Sequence, residues 1–305
     1  MSDKNLVVAM GFFDGVHIAH GRLLRRAREE AEKTGGEPAV IIFDRRPQDA
    51  VSGTVTPLIN TAYDRVDLIA RLYGIRNTIS LTFDEKLMKT PWDEFILSMV
   101  EKYSVSCFVV GYDFRFGYRG EGNPEKLTAL CEKTGVGCIV EERVEKNGVT
   151  VSSTHIRDLI SQGEIREANA FLGHPHQVSG EILHGKQIGR TIGIPTANMI
   201  IPDGVIIPKK GVYAVKFTTG DGRAYRAVTN VGTRPTVNGG QDLTVESHIL
   251  DFKGDLYGTV CRAEFIGFLR PERKFPSLDA LKEQIASDIA ATRAICAADF
   301  GQIAQ

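Results

Sequence analysis

The sequence predicts an α/β protein in two parts. The first is a doubly wound parallel sheet, and the second is a small antiparallel β-barrel with a carboxyl-terminal helix. Strand-like and helical segments alternate through the first half, as in parallel βα units. The second half changes to strand-like segments separated by Gly- or Pro-containing turns, as in a barrel. A length of 305 residues also suits about two domains.

Period and turn residues place the elements of the first half. Short apolar runs predict strands at residues 5–10, 38–43, 78–83 and 107–110. Amphipathic periodicity predicts helices at residues 16–33, 61–73, 92–103 and 124–133. A hairpin signal, Asn147-Gly148, follows, and then two short helices at residues 153–161 and 164–171.

The second half reads as a run of strands closed by one helix. The strands are expected at residues 177–184, 212–218, 224–231, 244–252 and 259–269, and the helix at 278–296. The change of period around residues 163–176 predicts two domains, 1–172 and 173–305.

Composition excludes several classes of protein. The net charge of -1 gives no electrostatic reason to expect nucleic acid or a membrane as partner. Five cysteines without a CxxC pair suit reduced thiols and a cytoplasmic location better than disulfides or a zinc site. No apolar run is long enough to span a bilayer, and no secretory signal is evident. The sequence leaves the oligomeric state open.

A glycine-rich turn with two histidines follows the first strand. Gly11-Phe12-Phe13-Asp14-Gly15-Val16-His17-Ile18-Ala19-His20 opens the first helix, where backbone N–H groups and the helix dipole favour an anion. His17 and His20 are three residues apart and share one face, so both can contact one triphosphate. The alternative is a pair of partly buried helix histidines, and zinc is disfavoured because no third ligand stands nearby.

Two further segments of the first half carry polar and aromatic groups. At the start of a predicted helix stand Ser153, Thr154 and Arg157, which can bind phosphates. The alternative is that the two hydroxyls are ordinary helix N-caps. Gly111-Tyr112-Asp113-Phe114-Arg115-Phe116-Gly117 follows a buried strand and offers rings for stacking on a planar ligand. Its alternative is an ordinary aromatic loop.

The segment Gly189-Arg190-Thr191-Ile192-Gly193-Ile194-Pro195-Thr196-Ala197-Asn198 is the most informative of the second half. Its glycines let the backbone approach phosphates closely. Thr196 and Asn198 supply neutral oxygens of the kind that Mg²⁺ accepts beside phosphate oxygens. Taken alone, the segment could also be a Gly/Pro surface turn with a capping threonine.

Together these motifs resemble, over residues 5–293, the bacterial bifunctional riboflavin kinase/FMN adenylyltransferase (FAD synthetase) family. The turn with two histidines alone would indicate only the wider nucleotidylyltransferase superfamily. The set becomes specific through the ordered motifs that follow it: Asp113-Phe114-Arg115-Phe116-Gly117, Ser153-Thr154-x-x-Arg157, Pro195-Thr196-Ala197-Asn198, Gly211-Val212-Tyr213, Val231-Gly232-Thr233-Arg234-Pro235-Thr236, Leu256-Tyr257-Gly258 and Leu269-Arg270.

The chain departs from the family pattern twice, both times in the first half. Ala19 stands where the family usually has glycine between the two histidines, and Arg46 stands where it has the histidine of Pro-His-Pro. Arginine keeps its proton but still neutralises phosphate charge. The alternative for Arg46 is a solvated loop residue.

For the kinase half, the resemblance implies ATP-dependent phosphorylation of riboflavin to FMN. Glu246 would accept the proton of the riboflavin 5′-hydroxyl, although a glutamate on a strand is otherwise an ordinary solvated residue. Thr196 and Asn198 would hold Mg²⁺, and Arg270 would contact the flavin or its phosphate side.

For the first half, the resemblance implies adenylylation of FMN by ATP to FAD with release of pyrophosphate. His17 and His20 would stabilise phosphate charge, and Asp113, Phe114 and Phe116 would contact the flavin. Across both halves, ATP- or phosphate-binding roles are implied for Gly11, Phe13, Asp14, Gly15, Arg46, Ser153, Thr154, Arg157, Gly189, Arg190, Gly193 and Pro195.

Three other functions fit parts of the sequence. The first is a riboflavin kinase whose adenylyltransferase half is impaired by Ala19 and Arg46. The second is a flavin-binding regulator without turnover, which an intact Glu246 disfavours. The third is a nucleotidylyltransferase for another metabolite, which the entire second half disfavours.

Overall fold

The structure is a computed structural model that describes residues 5–45, 55–184, 193–235 and 241–297. The chain divides into two compact units. The first contains residues up to Thr56 together with Ala62–Ser153, and the second contains Pro57–Thr61 and the chain from Thr154 onward. Among the described residues, no helix is both long and apolar enough to cross a membrane.

A five-stranded parallel sheet forms the centre of the first unit, with the strand order β3-β2-β1-β4-β5. The elements in chain order are β1 (Leu6–Met10), α1 (Ile18–Thr34), β2 (Glu37–Phe43), α2 (Ala62–Tyr73), β3 (Asn77–Leu81), α3 (Glu85–Lys89), α4 (Trp92–Tyr103), β4 (Val105–Gly111), a 3₁₀ turn (Tyr118–Gly120), α5 (Pro124–Thr134), β5 (Gly137–Glu141), β6 (Glu145–Lys146) and β7 (Val149–Thr150).

The central strand β1 shows why this sheet needs helices on both faces. All five of its residues are buried. Val8 belongs to the apolar cluster on one face, whereas Val7 and Ala9 belong to the cluster on the other. Burying a side chain of this size stabilises the fold by about 1.5–3 kcal/mol. The strand is therefore apolar throughout, as expected of a parallel sheet covered on both sides.

A closed six-stranded antiparallel barrel forms the centre of the second unit, with the order β10-β11-β12-β9-β8-β13. The elements in chain order are α6 (Ser153–Gln162), α7 (Ile165–Leu172), β8 (His176–Leu183), β9 (Ala197–Met199), β10 (Gly211–Thr218), β11 (Ala224–Pro235), β12 (Gln241–Ile249), β13 (Val260–Arg270) and α8 (Leu278–Ile295). The predicted fold class is confirmed: a parallel-sheet part, then a barrel with a carboxyl-terminal helix.

Several details differ from the expectation. No strand was expected at β5 or β9, and the strand expected up to residue 252 ends at Ile249. A turn that includes Asp251, with φ of 60°, ends the pairing there. The hairpin expected at Asn147-Gly148 is present between β6 and β7, with φ values of 52° and 75°. Two consecutive positive φ angles are what a tight hairpin turn requires.

The helices α6 and α7 belong mainly to the barrel unit. The Asn169 side chain donates from Nδ2 to the Phe265 carbonyl (2.8 Å) and accepts at Oδ1 from the His176 N–H (2.7 Å). A short segment from the first half also joins this unit, since Leu58 N donates to Gly204 O (2.7 Å) and Ile206 N to Leu58 O (2.8 Å). The functional division expected after residue 172 stays a prediction.

Candidate functional site

The turn after β1 has an unusual backbone. Phe13, Gly15 and Val16 have φ angles of 56°, 82° and 41°. A positive φ is costly for a bulky or β-branched residue, so the surrounding fold must hold this turn in place. Phe13 and Val16 are fully buried and supply that anchor. The turn brings the backbone of residues 11–17 to the amino end of α1, where an anion would be favoured.

The two histidines lie together at the start of α1. His17 caps the helix by accepting from His20 N at Nδ1 (3.3 Å). Their rings stack with centroids 3.6 Å apart, and the Phe13 ring lies 5.0 Å from that of His20. Burial, with smaller effects of His17 and Arg65, holds the pKa of His20 well below its usual value. The imidazole is therefore neutral near pH 7 and can give a phosphate oxygen one hydrogen bond.

Arg65 of α2 also belongs to this site, although no sequence motif indicates it. Its Nη1 donates to the carbonyls of Phe12 (2.6 Å) and Phe43 (3.2 Å), which stand just after β1 and at the end of β2. The side chain is fully buried and stacks on the Phe12 ring. Burial lowers its pKa, while Asp14 and Asp44 raise it. Only the tertiary structure brings a helix arginine to these two strand ends.

The hydroxyl segment at the start of α6 is split between the two units. Ser153 Oγ donates to the backbone carbonyl of Asp14 (2.9 Å) and so joins the turn after β1. In the second unit, Arg157 Nη2 donates to Thr154 Oγ1 (3.2 Å), and the arginine is buried. Phosphate contacts for Ser153, Thr154 and Arg157 remain predictions.

The aromatic loop after β4 is packed against its own unit. The Phe114 and Phe116 rings stack at 5.3 Å, and Phe116 also packs against Phe95 and Trp92. Phe116 is buried, Phe114 is partly exposed and Asp113 is exposed. Phe116 therefore supports the loop from inside, and the predicted flavin contacts of all three residues stay predictions.

In the second unit, a cavity of about 310 Å³ brings several expected residues together on the outside of the barrel. Glu246 and Thr196 line it from the barrel side, together with Asn230 of β11 and Arg270 at the end of β13. Residues 272–275 and the helix α8 form the opposite wall, through Glu272, Arg273, Phe275, Leu281, Ile285 and Asp288.

Strand register explains how Glu246 reaches this cavity. Val245 and Ser247 are buried, whereas Glu246 between them faces the other side of β12 and lines the cavity. Glu246 is the direct antiparallel partner of Asn198 on β9 and of Asn230 on β11. Directly opposed residues point to the same face of a sheet, so these three polar side chains share the outer face of the barrel.

The Pro-Thr-Ala-Asn segment lies beside two cavities. Thr196 lines the cavity of Glu246 and also a smaller one of about 90 Å³, which Pro195, Leu256 and Tyr257 line as well. His248 Nδ1 donates to the Pro195 carbonyl (2.9 Å) and fixes this turn on β12. Gly193 has φ of 80° and is exposed. Gly189, Arg190 and Arg46 lie outside the described residues.

The donors on this face fit a hard cation that is shared with a substrate. In the described parts of the chain, no group of three or more His, Cys, Asp or Glu side chains could hold a metal ion. The neutral oxygens on this face that could hold a cation together with phosphate oxygens are the Thr196 hydroxyl and the Asn198 amide oxygen. That donor set suits Mg²⁺, which prefers few protein ligands together with substrate phosphates.

The two-unit fold, together with the family models that match its two halves, defines a nucleotide-dependent transferase. A FAD synthetase family model matches residues 1–155, and a riboflavin kinase family model matches residues 172–296. The chain belongs to the bifunctional riboflavin kinase/FMN adenylyltransferase family. It is a multifunctional transferase of FMN and FAD biosynthesis, with kinase and nucleotidyltransferase activities on flavin and ATP substrates.

Two relatives and one solved structure are similar to this chain over nearly its whole length. The bifunctional riboflavin kinase/FMN adenylyltransferase of Listeria monocytogenes is 34% identical over 302 residues, or 97% of this chain and 94% of its own. The enzyme of the same name from Pseudomonas fluorescens is 35% identical, and the match covers 96% of this chain and 94% of that protein. A crystal structure titled as a macrolide-efflux protein from Streptococcus pneumoniae matches 96% of this chain and 95% of its own, with a TM-score of 0.84 and 29% identity. The word efflux describes the Streptococcus pneumoniae protein and is not carried over to this chain.

Proposed function

We propose that the cavity of Glu246 is the riboflavin kinase site. The observation that carries this proposal is the pairing of Glu246 with Asn198 on the outer face of the barrel, beside Thr196. The riboflavin 5′-hydroxyl oxygen attacks the γ-phosphorus of ATP, the bond to ADP breaks, and Glu246 takes the hydroxyl proton. A base on a paired strand is held rigidly, and such help supplies about 10²- to 10⁴-fold in rate.

Thr196 lies between the two substrates in this proposal. Riboflavin occupies the larger cavity beneath α8, and ATP occupies the smaller one beside Pro195 and Tyr257. Because Thr196 lines both cavities, its hydroxyl is placed where the γ-phosphate meets the flavin side chain. Mg²⁺ held by Thr196 and Asn198 would neutralise phosphate charge during the transfer.

In the first unit we infer that the turn after β1 is the adenylyltransferase site. An oxygen of the FMN phosphate attacks the α-phosphorus of ATP, and pyrophosphate leaves. No protein nucleophile is needed, since the attacking group is already an anion. The stacked pair of His17 and His20 and the backbone of residues 11–15 donate to the phosphates as charge shifts towards the leaving group.

One assay tests both halves of the proposal. The protein is incubated with riboflavin and MgATP, and riboflavin, FMN and FAD are separated chromatographically. Formation of FAD supports both sites. FMN alone would mean that the adenylyltransferase half is impaired, and no conversion would mean a flavin-binding protein without turnover or an enzyme for another substrate. Omitting Mg²⁺ from the assay tests whether the two reactions require the metal. A cytoplasmic location stays a prediction.

A further inference from the structure

The wall of the larger cavity between β13 and α8 has no regular secondary structure. Residues 271–276 join the two elements and contribute Glu272, Arg273 and Phe275 to the cavity lining. No backbone ladder or helix holds this segment. Side-chain contacts hold it instead. Glu272 Oε1 accepts a hydrogen bond from Asn230 Nδ2 of β11 at 2.9 Å, and the other contacts of the segment converge on one residue of α8, Asp288.

Asp288 accepts four hydrogen bonds. Three come from the Arg270 guanidinium: Nε lies 3.1 Å from both carboxylate oxygens, and Nη2 lies 2.8 Å from Oδ2. The fourth comes from Gln284 Nε2, one turn earlier on α8, at 2.7 Å. Relative exposures of 4% for the Asp288 side chain and 17% for the Arg270 side chain make this a largely buried pair. A forked guanidinium fixes both distance and orientation.

The contacts continue from both partners into the irregular wall. Arg270 Nη1 donates to the carbonyl of Pro271 at 3.1 Å, so the same guanidinium holds the start of the segment. Gln284 accepts a hydrogen bond from Arg273 Nη2. Two guanidinium groups lie over the Phe275 ring, with Arg273 Cζ 4.9 Å and Arg270 Cζ 5.6 Å from the ring centroid. Asp288 is thus the common anchor of both ends of the wall.

We propose that Asp288 is a positioning residue for riboflavin in the kinase reaction. Through Arg270 and Gln284 it holds the segment 271–276, and above all the Phe275 ring, at the spacing from the barrel that a flat three-ring ligand requires. This inference rests on the proposed location of the kinase site. Asp288 takes no part in proton or phosphoryl transfer, so its loss affects how riboflavin is held and leaves the chemical step in place.

The charge balance explains why a carboxylate stands at this position. Without Asp288, the Arg270 guanidinium would be largely buried without a counter-ion, and it would turn towards solvent or into the cavity. Either movement removes the hydrogen bond to the Pro271 carbonyl and the contact between Arg270 and the Phe275 ring. The wall would then sample several positions, and riboflavin would have to order it on binding. An ordering cost of this kind weakens affinity.

The test compares variants of the full chain in steady-state kinase assays with riboflavin as the varied substrate. Asp288→Asn keeps the volume of the side chain and removes its charge. It is expected to raise KM for riboflavin about 10- to 100-fold, with kcat within about threefold of the starting protein. Gln284→Met breaks the link to Arg273 without leaving a buried charge and should raise KM about 3- to 10-fold. Asp288→Glu should recover part of the affinity.

Two controls separate positioning from a loss of stability. Asp251→Asn breaks an exposed ion pair in which Asp251 lies 2.9 Å from Arg293, a residue of α8 like Asp288. This variant should leave KM unchanged. Conversion of added FMN to FAD by the other unit should be unchanged in every variant. A residue that only stabilised the fold would reduce the amount of active kinase, and hence the apparent kcat, without moving KM.

The outcomes also distinguish this inference from the proposed kinase site. If the starting protein phosphorylates riboflavin and Glu246→Gln lowers kcat, the site stands. An unchanged KM in both Asp288→Asn and Gln284→Met would then overturn the positioning role alone. If Asp288→Asn does not fold, Gln284→Met decides the question. If Glu246→Gln has no effect, the site itself is misplaced, and a raised KM in the Asp288 variant would have to come from elsewhere.

Discussion

Glu246 and Asn198 lie directly opposite each other on the antiparallel strands β12 and β9. The pair places a carboxylate and a side-chain amide on the same outer face of the barrel. The two residues are 48 positions apart in the sequence, and they meet because β9 closes the barrel between β12 and β8. The proposed kinase chemistry rests on this arrangement.

Glu246→Gln is expected to lower kcat for FMN formation by about two orders of magnitude or more. The amide keeps the shape of the side chain but cannot take the proton of the 5′-hydroxyl. Riboflavin binding, followed through flavin fluorescence, should be nearly unchanged.

The matched control for this variant is Glu181→Gln, which changes an exposed glutamate of β8. It should keep both activities. Turnover at the starting level in Glu246→Gln would show that this carboxylate is not the base.

His20→Ala is expected to lower conversion of FMN to FAD by about 10²-fold, the usual cost of one preorganised donor. In the proposed site, the His20 ring, which stacks on His17 at the start of α1, is the donor to the ATP phosphates. Phosphorylation of riboflavin should not change, and this serves as an internal measure of folded enzyme.

Arg28→Ala provides the comparison on the same helix, because Arg28 is exposed and pairs with Glu32. It should leave FAD formation intact. If both variants make FAD at the starting rate, the histidines do not belong to the adenylyltransferase site.

A fragment of residues 173–305 is expected to phosphorylate riboflavin, and a fragment of residues 1–172 is not. The structure adds that a fragment of residues 154–305 should be the more stable of the two kinase fragments. It retains Asn169, whose side chain bonds to Phe265 O and His176 N. Each lost bond costs about 1 kcal/mol.

Thermal unfolding and FMN formation of the two kinase fragments test this prediction. Neither fragment contains residues 57–61, so both lose the hydrogen bonds of Leu58 to residues 204 and 206. Kinase activity that is absent from both fragments would show that the barrel does not function apart from the first half.

His176 is expected to make the second unit sensitive to acid. Burial lowers its pKa to about 3, from an ordinary value of about 6.5. Between these two values the unfolded chain binds a proton that the folded chain does not, so stability falls as the pH falls. The expected slope is up to about 1.4 kcal/mol per pH unit.

His176→Phe should flatten this dependence, since the ring is fully buried and stacks on Phe265. Calorimetry of the full chain between about pH 7.5 and pH 4.5 measures it, and a shift on adding riboflavin identifies the transition of the second unit. His184→Asn, at an exposed histidine, is the control. Equal acid sensitivity with and without His176 would contradict the prediction.

Local signals were sufficient wherever an element depends on its own residues. Periodicity predicted α1, and the glycine after its last turn, Gly35 with φ of 69°, ends it as expected. The apolar run of β1 predicted a strand buried on both faces. The strands β5 and β9 were not predicted. β9 has only three residues, and β5 is an edge strand without a buried residue, so neither carries a clear apolar pattern.

The candidate sites divide in the same way. His17, His20, Thr196, Asn198 and Glu246 could be singled out because ordered motifs carry them. The sequence could not single out Arg65, Glu272 or Asp288, because each makes its contacts with a partner that is distant in the sequence. The Asp288 side chain, for example, is an ordinary helix carboxylate until β13 brings Arg270 to it.

The sequence by itself determined the two-part fold, the family and the residues that resemble its motifs. These properties depend on local periodicity and on motifs whose residues are near neighbours along the chain. Only the tertiary structure decided that Glu246 faces Asn198, that Arg65 joins the ends of β1 and β2, and that Asp288 anchors the wall of the larger cavity. The physical reason is that strand register and side-chain pairing depend on which elements pack together, and local sequence does not specify that.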